Sequence, residues 1–154
     1  MPSVPAYPLN DGSTIPGLGL GTYPMDDTEA ERAVDHALRF GYRLIDTAAA
    51  YGFGHSEGVV GRALEGLQSA RTCSPRPRPW TAHRRVVHSL KRDSILREAQ
   101  ASLKRLGVEV IDLYYQHRVD RGVPIEETVG AMARLVQQGK VRHRSEPLET
   151  EHLI

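Results

Sequence analysis

The sequence predicts a parallel α/β fold, because helix-like and strand-like segments alternate along most of its 154 residues. Apolar residues recur at helical spacing over 27–40, from Asp93 to Leu106, and again after Pro124. Short apolar runs typical of strands lie between these helices, so that strand-helix units follow one another about every 30–40 residues. An open doubly wound sheet and a partial eight-stranded barrel both fit this spacing, and periodicity alone does not choose between them.

The first segments of the chain predict a hairpin, a short strand and a helix. Residues 7–16 form two extended pieces around Asn10-Asp11-Gly12, which is a hairpin signal. The glycine-rich run 17–23 predicts a short buried strand that ends in a glycine-threonine turn. The helix over 27–40 has an aspartate at its start, where a carboxylate caps free N–H groups, and Gly41 at its end.

The middle of the chain begins regularly and then loses its pattern. Tyr42 to Asp46 is a compact strand, and a helix is expected over about 56–64. Residues 66–92 carry six arginines and a lysine with no acid, and no stable period is visible. We expect an irregular Arg/Pro-rich insertion or a frameshifted segment there, with a damaged strand near 70–76 as one of four strand-helix units. Translation of the gene in its other two frames tests the frameshift, which requires a β-rich stretch in one of them.

Regular patterning returns at Asp93. The helix that begins there has one apolar face and ends at Gly107, and the strand Val108–Tyr115 follows it. The next helix begins near Pro124, a residue that suits a helix start, and ends at Gly139. Lys140 then opens another strand-like run. The domain organisation predicted from this pattern is one domain over 1–154.

Three polar side chains follow two of the predicted strands. Asp46 ends the Tyr42–Asp46 strand, Tyr51 lies five residues further on, and His117 follows the strand Val108–Tyr115. Parallel strands place their carboxyl ends at one edge of the sheet, so these side chains can share one rim. Each of them taken alone is more often a cap, packing or structural residue. Spacing alone therefore leaves open whether these residues form a functional site or only stabilise the fold.

Composition excludes several classes of protein. The single cysteine, Cys73, makes an intrachain disulfide impossible, and this favours a reducing compartment such as the cytoplasm. The N-terminal residues lack the pattern of a signal peptide, and no apolar run approaches the ~20 residues that cross a membrane. The basic run in 66–92 has a second interpretation as a phosphate-binding patch. No recognition motif accompanies it, so we expect no nucleic acid partner; no metal site is assigned.

The sequence resembles the aldo-keto reductases in motifs that occur in the family's order. These are GLGLGTY at 17–23, GYRLIDTAAAYG at 41–52, SEGVVGRAL at 56–64 and ASLKRLGVEVIDLYYQH at 101–117. The segment from His117 to His143 extends the likeness and resembles the branch with longer loops. The resemblance covers about 1–65 and 93–143.

This resemblance implies an eight-stranded α/β barrel that reduces aldehydes and ketones with NADPH, or in some members NADH. The family's catalytic residues are an aspartate, a tyrosine, a lysine and a histidine. By matching motifs, Asp46, Tyr51 and His117 carry over as catalytic residues. Gly21, Thr22 and Asp46 fall where the family approaches the nicotinamide end of the cofactor.

The family's lysine has no counterpart at the expected place. Counting from Leu64 puts it near 74–77, where this chain has Ser-Pro-Arg-Pro. Arg76 is a poor substitute because a guanidinium is wider and hardly loses its proton, and prolines at 75, 77 and 79 oppose a central strand. Lys91 lies too close to the next helix. We therefore leave the lysine unassigned and expect Asp46, if it is buried, to be strained or to bind another base.

The length implies part of a barrel. A complete barrel of this kind needs about 250 residues, and the chain reaches only the start of a fifth strand. We expect a truncated half-barrel of about four strand-helix units with an N-terminal hairpin. Its open edge favours either self-association or aggregation. The function implied is carbonyl reduction by an enzyme impaired by these losses. The alternative is a non-catalytic fragment or an assembly module.

Overall fold

The structure, a computed structural model, describes residues 5–69, 80–85, 91–116, 120 and 122–145. Two short strands, β1 (Ala6–Pro8) and β2 (Thr14–Pro16), pair antiparallel as the predicted hairpin. The Asp11 carboxylate accepts hydrogen bonds from the Ser13 N–H and hydroxyl at 2.9 and 2.7 Å, and these bonds lower its pKa from the ordinary value. His143 lies 3.7 Å from Asp11, which ties the hairpin to the far end of the main sheet.

The main sheet has five parallel strands in the described residues, and every strand lies beside its successor in the sequence. The strands are β3 (Leu20–Gly21), β4 (Leu44–Thr47), β5 (Trp80–Arg85), β6 (Ile111–Gln116) and β7 (Val141–Ser145). An open doubly wound sheet reverses its strand order at a switch point, whereas a barrel adds strands in sequence order. The observed order therefore favours the barrel over the doubly wound sheet.

Four helices connect these strands and cover one face of the sheet. They are α1 (Asp27–Arg39), α2 (His55–Ser69), α3 (Arg92–Leu106) and α4 (Ile125–Gln137). The start of α1 is fixed by a capping box, in which the Asp26 carboxylate accepts from the Glu29 N–H at 2.8 Å. Apolar residues of all four helices pack against the strands in one buried cluster, and Val34, Ile45, Ile95, Ile111 and Leu135 are among its members. Among the residues that the structure describes, no helix is long and apolar enough to span a membrane.

The third strand of the sheet is not where the sequence analysis expects it. It occupies Trp80–Arg85, between β4 and β6, rather than a position near 70–76. Helix α2 also continues to Ser69, beyond the predicted end at residue 64. The strand begins directly after Pro79, which agrees with the rule that proline lacks a ladder donor. Part of 66–92 is thus regular structure, while residues 70–79 and 86–90 lie outside the described residues.

Helices α2 and α3 touch at Gly61. A Cβ atom added there would lie 2.7 Å from the Arg105 carbonyl oxygen, which is a backbone atom that cannot rotate away. We therefore expect Gly61→Ala to lower the free energy of unfolding by about 1–3 kcal/mol through overpacking. Gly66→Ala in the same helix is the matched control, because its Cβ would meet nothing within 4 Å.

The two alanine variants should shift the urea midpoint in opposite directions. Alanine at position 66 removes the entropic cost of glycine in a helix and should stabilise by roughly 0.5–1 kcal/mol. Equal shifts at the two positions would show that the close approach of α2 and α3 does not set the cost at Gly61.

Candidate active site

Asp46 lies at the carboxyl end of β4, where the sequence analysis places it. Its neighbour in β3 is Gly21, which is its Cα partner in the parallel ladder. The Thr22 N–H donates to the Asp46 carbonyl at 3.0 Å, and the buried Thr22 hydroxyl lies 3.0 Å from the Thr47 hydroxyl. These contacts join the end of β3 to β4 and fix the main chain of Asp46. The three residues predicted near the nicotinamide therefore do lie together.

The Asp46 side chain is half-buried and contacts a phenol from another strand. The Tyr115 hydroxyl, on β6, donates to Asp46 Oδ1 at 2.8 Å. Tyr115 is not among the residues singled out from the sequence. Side chains alternate between the two faces of a strand, so Leu113, Tyr115 and His117 are expected on one face of β6, and this signal could have identified Tyr115. Which face of β6 is turned toward Asp46 depends on the strand register, which the sequence does not give.

A cavity of about 400 Å³ lies on this face of the sheet. Its lining comes from β3, β4 and β6, and consists of Gly19, Leu20, Gly21, Leu44, Asp46, Leu113 and Tyr115. Two charged or polar groups, the carboxylate and the phenol, thus lie in an otherwise apolar surface. This composition is typical of small-molecule sites, whose volumes run from about 300 to 1,000 Å³.

Tyr51 lies in the loop that connects β4 to α2, where it begins a 3₁₀ turn that ends at Gly54. Its N–H donates to the Ala48 carbonyl at 3.0 Å, and its ring lies 5.1 Å from the ring of Tyr23, measured between centroids. Tyr23 follows the end of β3, so both rings belong to the same rim of the sheet. The next two residues, Gly52 and Phe53, have φ of 57° and 54°, which turn the chain sharply into α2. Left-handed backbone at Phe53 is uncommon for a residue with a side chain and occurs often near functional sites.

His117 and the position expected for the lysine are the remaining parts of the predicted site. His117 lies outside the described residues, but the strand that precedes it, β6, is parallel to β4 and ends on the same rim. The position expected for the lysine, 74–77, also lies outside the described residues, and it precedes β5 instead of ending it. The count from Leu64 therefore does not reach the end of the third strand, which spans Trp80–Arg85, and the lysine stays unassigned. Lys91 is the N-cap residue of α3, which agrees with its exclusion as a strand-end residue.

Residues 17–145 match the model of the aldo/keto reductase family. This match covers most of the chain, and the protein belongs to that family, whose members are eight-stranded βα barrels. The sequence is 42% identical over 115 residues to an aldo-keto reductase of Mycolicibacterium smegmatis, covering 75% of this chain and 38% of that protein. A second, from Mycobacterium sp. (strain MCS), is 40% identical over 141 residues, covering 90% of this chain and 47% of the relative.

Solved structures of the family superpose closely on the chain. An aldo/keto reductase from Brucella melitensis gives a TM-score of 0.80 at 33% identity, covering 96% of this chain and 56% of that one. A Bombyx mori aldo-keto reductase in complex with NADP gives 0.79 at 30% identity, covering 93% of this chain and 50% of the other. The chain thus spans about half the length of the relatives that it matches.

Proposed function

We propose that this chain carries the first part of a carbonyl-reducing site and acts, or descends from an enzyme that acted, as an NAD(P)H-dependent reductase of aldehydes and ketones. The observation that carries the proposal is the Asp46 carboxylate, held at a strand end by β3 and by Tyr115 beside a cavity. Tyr51 supplies the second group, from the loop that directly follows this strand. Family membership supports the same assignment.

The residues around the cavity fit the reduced nicotinamide part of NADPH. A Cβ atom built on Gly21 would meet nothing within 4 Å, so the strand end is open to a flat ring. Gly21, Thr22 and Asp46 are the residues that would hold it, through backbone groups and the carboxylate. When bound, NADPH supplies the hydride that reduces a carbonyl carbon. NADH remains the alternative donor, because none of these three residues distinguishes the two.

In the proposed mechanism, the Tyr51 phenol donates the proton that the carbonyl oxygen takes up. An unperturbed phenol titrates near ~10 and is a weak acid at neutral pH, so it needs a partner that stabilises its anion. In the family that partner is a lysine cation held by the aspartate; here Asp46 would hold the cation, whose residue is unassigned. His117 would orient the carbonyl from the end of β6. The substrate is a small aldehyde or ketone.

The alternative function is that of a non-catalytic fragment or an assembly module. Strands β3 and β7 are the outer strands of the described sheet, and such edges pair readily with other chains. In this alternative, the chain is a half-barrel that self-associates through these edges; for either function, we propose that it resides in the cytoplasm. The single cysteine, which cannot form an intrachain disulfide, supports that location.

The origin of segment 66–92 is a separate question. That it is a frameshifted insertion stays a prediction.

A fluorescence titration with NADPH separates the two functions. The reductase reading requires saturable binding by the wild-type chain, with a dissociation constant that rises in Asp46→Asn. Asp35→Asn is the control, because that carboxylate pairs with Arg39 on the exposed side of α1. A linear, unsaturable signal together with a concentration-dependent oligomer in sedimentation would favour the assembly module and reject the reductase.

A further inference from the structure

The contact between Tyr115 and Asp46 crosses a whole strand of the sheet. Asp46 is on β4 and Tyr115 is on β6, and β5 runs between them. In the register of the ladders, Asp46 is level with Ala82, and Ala82 is level with Leu113, two residues before Tyr115. Neighbouring strands lie about 4.8 Å apart, so the two side chains bridge roughly 10 Å of sheet. Only a long side chain with a polar end makes such a bridge.

The bridge restrains the one part of Asp46 that the backbone leaves movable. The ladder with Gly21 and the Thr22 N–H hold the main chain of Asp46. The carboxylate could still rotate, and a hydrogen bond to Oδ1 of 2.8 Å, within the normal range for O–H···O, limits that rotation. A hydrogen bond to a charged acceptor is stronger than one to a neutral acceptor, so this restraint is substantial.

We propose that Tyr115 is a positioning residue for Asp46, which keeps the carboxylate turned toward the cavity so that the reducing site is assembled before any ligand binds. The part that concerns the reducing site rests on the proposed function, whereas the hydrogen bond between Tyr115 and Asp46 can be tested without it. The neighbouring Tyr114 cannot take the same role, because it is fully buried on the opposite face of β6. The pair Tyr114 and Tyr115 therefore offers one phenol for testing and one for control.

Carbon-13 NMR of the full chain labelled at tyrosine Cζ tests the contact directly, since this carbon responds to the hydrogen bond of the hydroxyl. Tyr115→Phe identifies the resonance by its loss. Asp46→Asn should move that resonance, whereas Asp35→Asn should not. A Tyr115 resonance that ignores Asp46→Asn overturns the proposal.

The effect on the site is measured by NADPH binding in a double-mutant cycle. Tyr115→Phe should raise the dissociation constant about 5- to 10-fold, which corresponds to one lost hydrogen bond. The double variant Tyr115→Phe/Asp46→Asn should bind no more weakly than Asp46→Asn alone, because Tyr115 acts through Asp46. Tyr114→Phe should leave the dissociation constant unchanged. Additive losses would overturn the positioning role.

The two proposals fail in different ways. If the wild-type chain binds no NADPH, the proposed function is wrong, and the NMR result alone then decides whether Tyr115 positions Asp46. If NADPH binds and Asp46→Asn weakens it, but the Tyr115 resonance and the cycle show no coupling, the function stands and the positioning role is rejected.

Discussion

On the proposed function, the Tyr51→Phe variant is expected to lose carbonyl reduction while it keeps its fold and its binding of NADPH. The substitution removes one hydroxyl and keeps the ring that lies against Tyr23. General acid catalysis contributes a factor of about 10²–10⁴ to a rate, so a reductase without its acid should slow at least ~100-fold. The measurement is the loss of NADPH absorbance with an aromatic aldehyde as substrate.

Tyr23→Phe is the matched control for this variant. It removes a hydroxyl from the other ring of the same aromatic pair, and Tyr23 as a residue is 69% exposed. We expect it to retain most of the wild-type rate. Full activity in Tyr51→Phe would remove Tyr51 from the mechanism, and attention would then turn to Tyr115, the phenol in contact with Asp46.

The position of Asp46 at the edge of the sheet could be predicted from the sequence, because it requires only that the strands are parallel. Asp46 ends an apolar run, and parallel strands share a rim, so its position at the edge of the sheet follows without coordinates. The hairpin around Asp11 and the helix stop at Gly107 follow from turn chemistry in the same way. Each of these predictions uses neighbours within a few residues along the chain.

The third strand, β5, could not be predicted in the same way. Its sequence, WTAHRR, lacks the apolar alternation that marks a strand, and three prolines come shortly before it. Its place is defined by backbone pairing with β4 on one side and β6 on the other. Long-range pairing of this kind overrides a weak local preference.

Two further residues depend on contacts far apart in the sequence. Tyr115 meets Asp46 across 69 positions of the chain, and Arg105 meets Glu57 across 48. Glu57 resembles the ordinary acid of a first helical turn, which is usually exposed to solvent. Nothing local reveals that it is fully buried. The sequence therefore indicates where β4 and β6 end, while the register and the helix packing decide which side chains meet there.

Arg105→Met is expected to give the largest loss of stability. Arg105, near the end of α3, pairs with Glu57 in the first turn of α2, and the Glu57 side chain is 0% exposed while that of Arg105 is 33% exposed. Breaking a buried ion pair costs about 3–5 kcal/mol, and the partial exposure of Arg105 reduces the expected loss to about 2–4 kcal/mol. Methionine keeps most of the apolar stem, so lost packing contributes little. The midpoint of urea unfolding measures the change.

Two variants show whether the loss comes from removing the guanidinium from the buried Glu57 carboxylate. Arg97→Met removes an exposed arginine from the same helix and should stay within about 0.5 kcal/mol of the wild type. Glu57→Gln/Arg105→Met should recover part of the loss, because a neutral amide costs less to bury than a carboxylate that has lost its guanidinium. A double variant as unstable as Arg105→Met would contradict the electrostatic explanation.

The same arginine also connects this ion pair to the loop that carries Tyr51. A Cβ atom added at Gly54, the last residue of that loop, would lie 2.8 Å from the Arg105 Cδ and Nε atoms. The guanidinium thus packs against the loop and pairs with the helix that follows it. We expect Arg105→Met to speed hydrogen exchange of the amides in 51–57 more than in α4. Equal acceleration in both regions would mean that Arg105 stabilises the fold as a whole and does not hold the Tyr51 loop in particular.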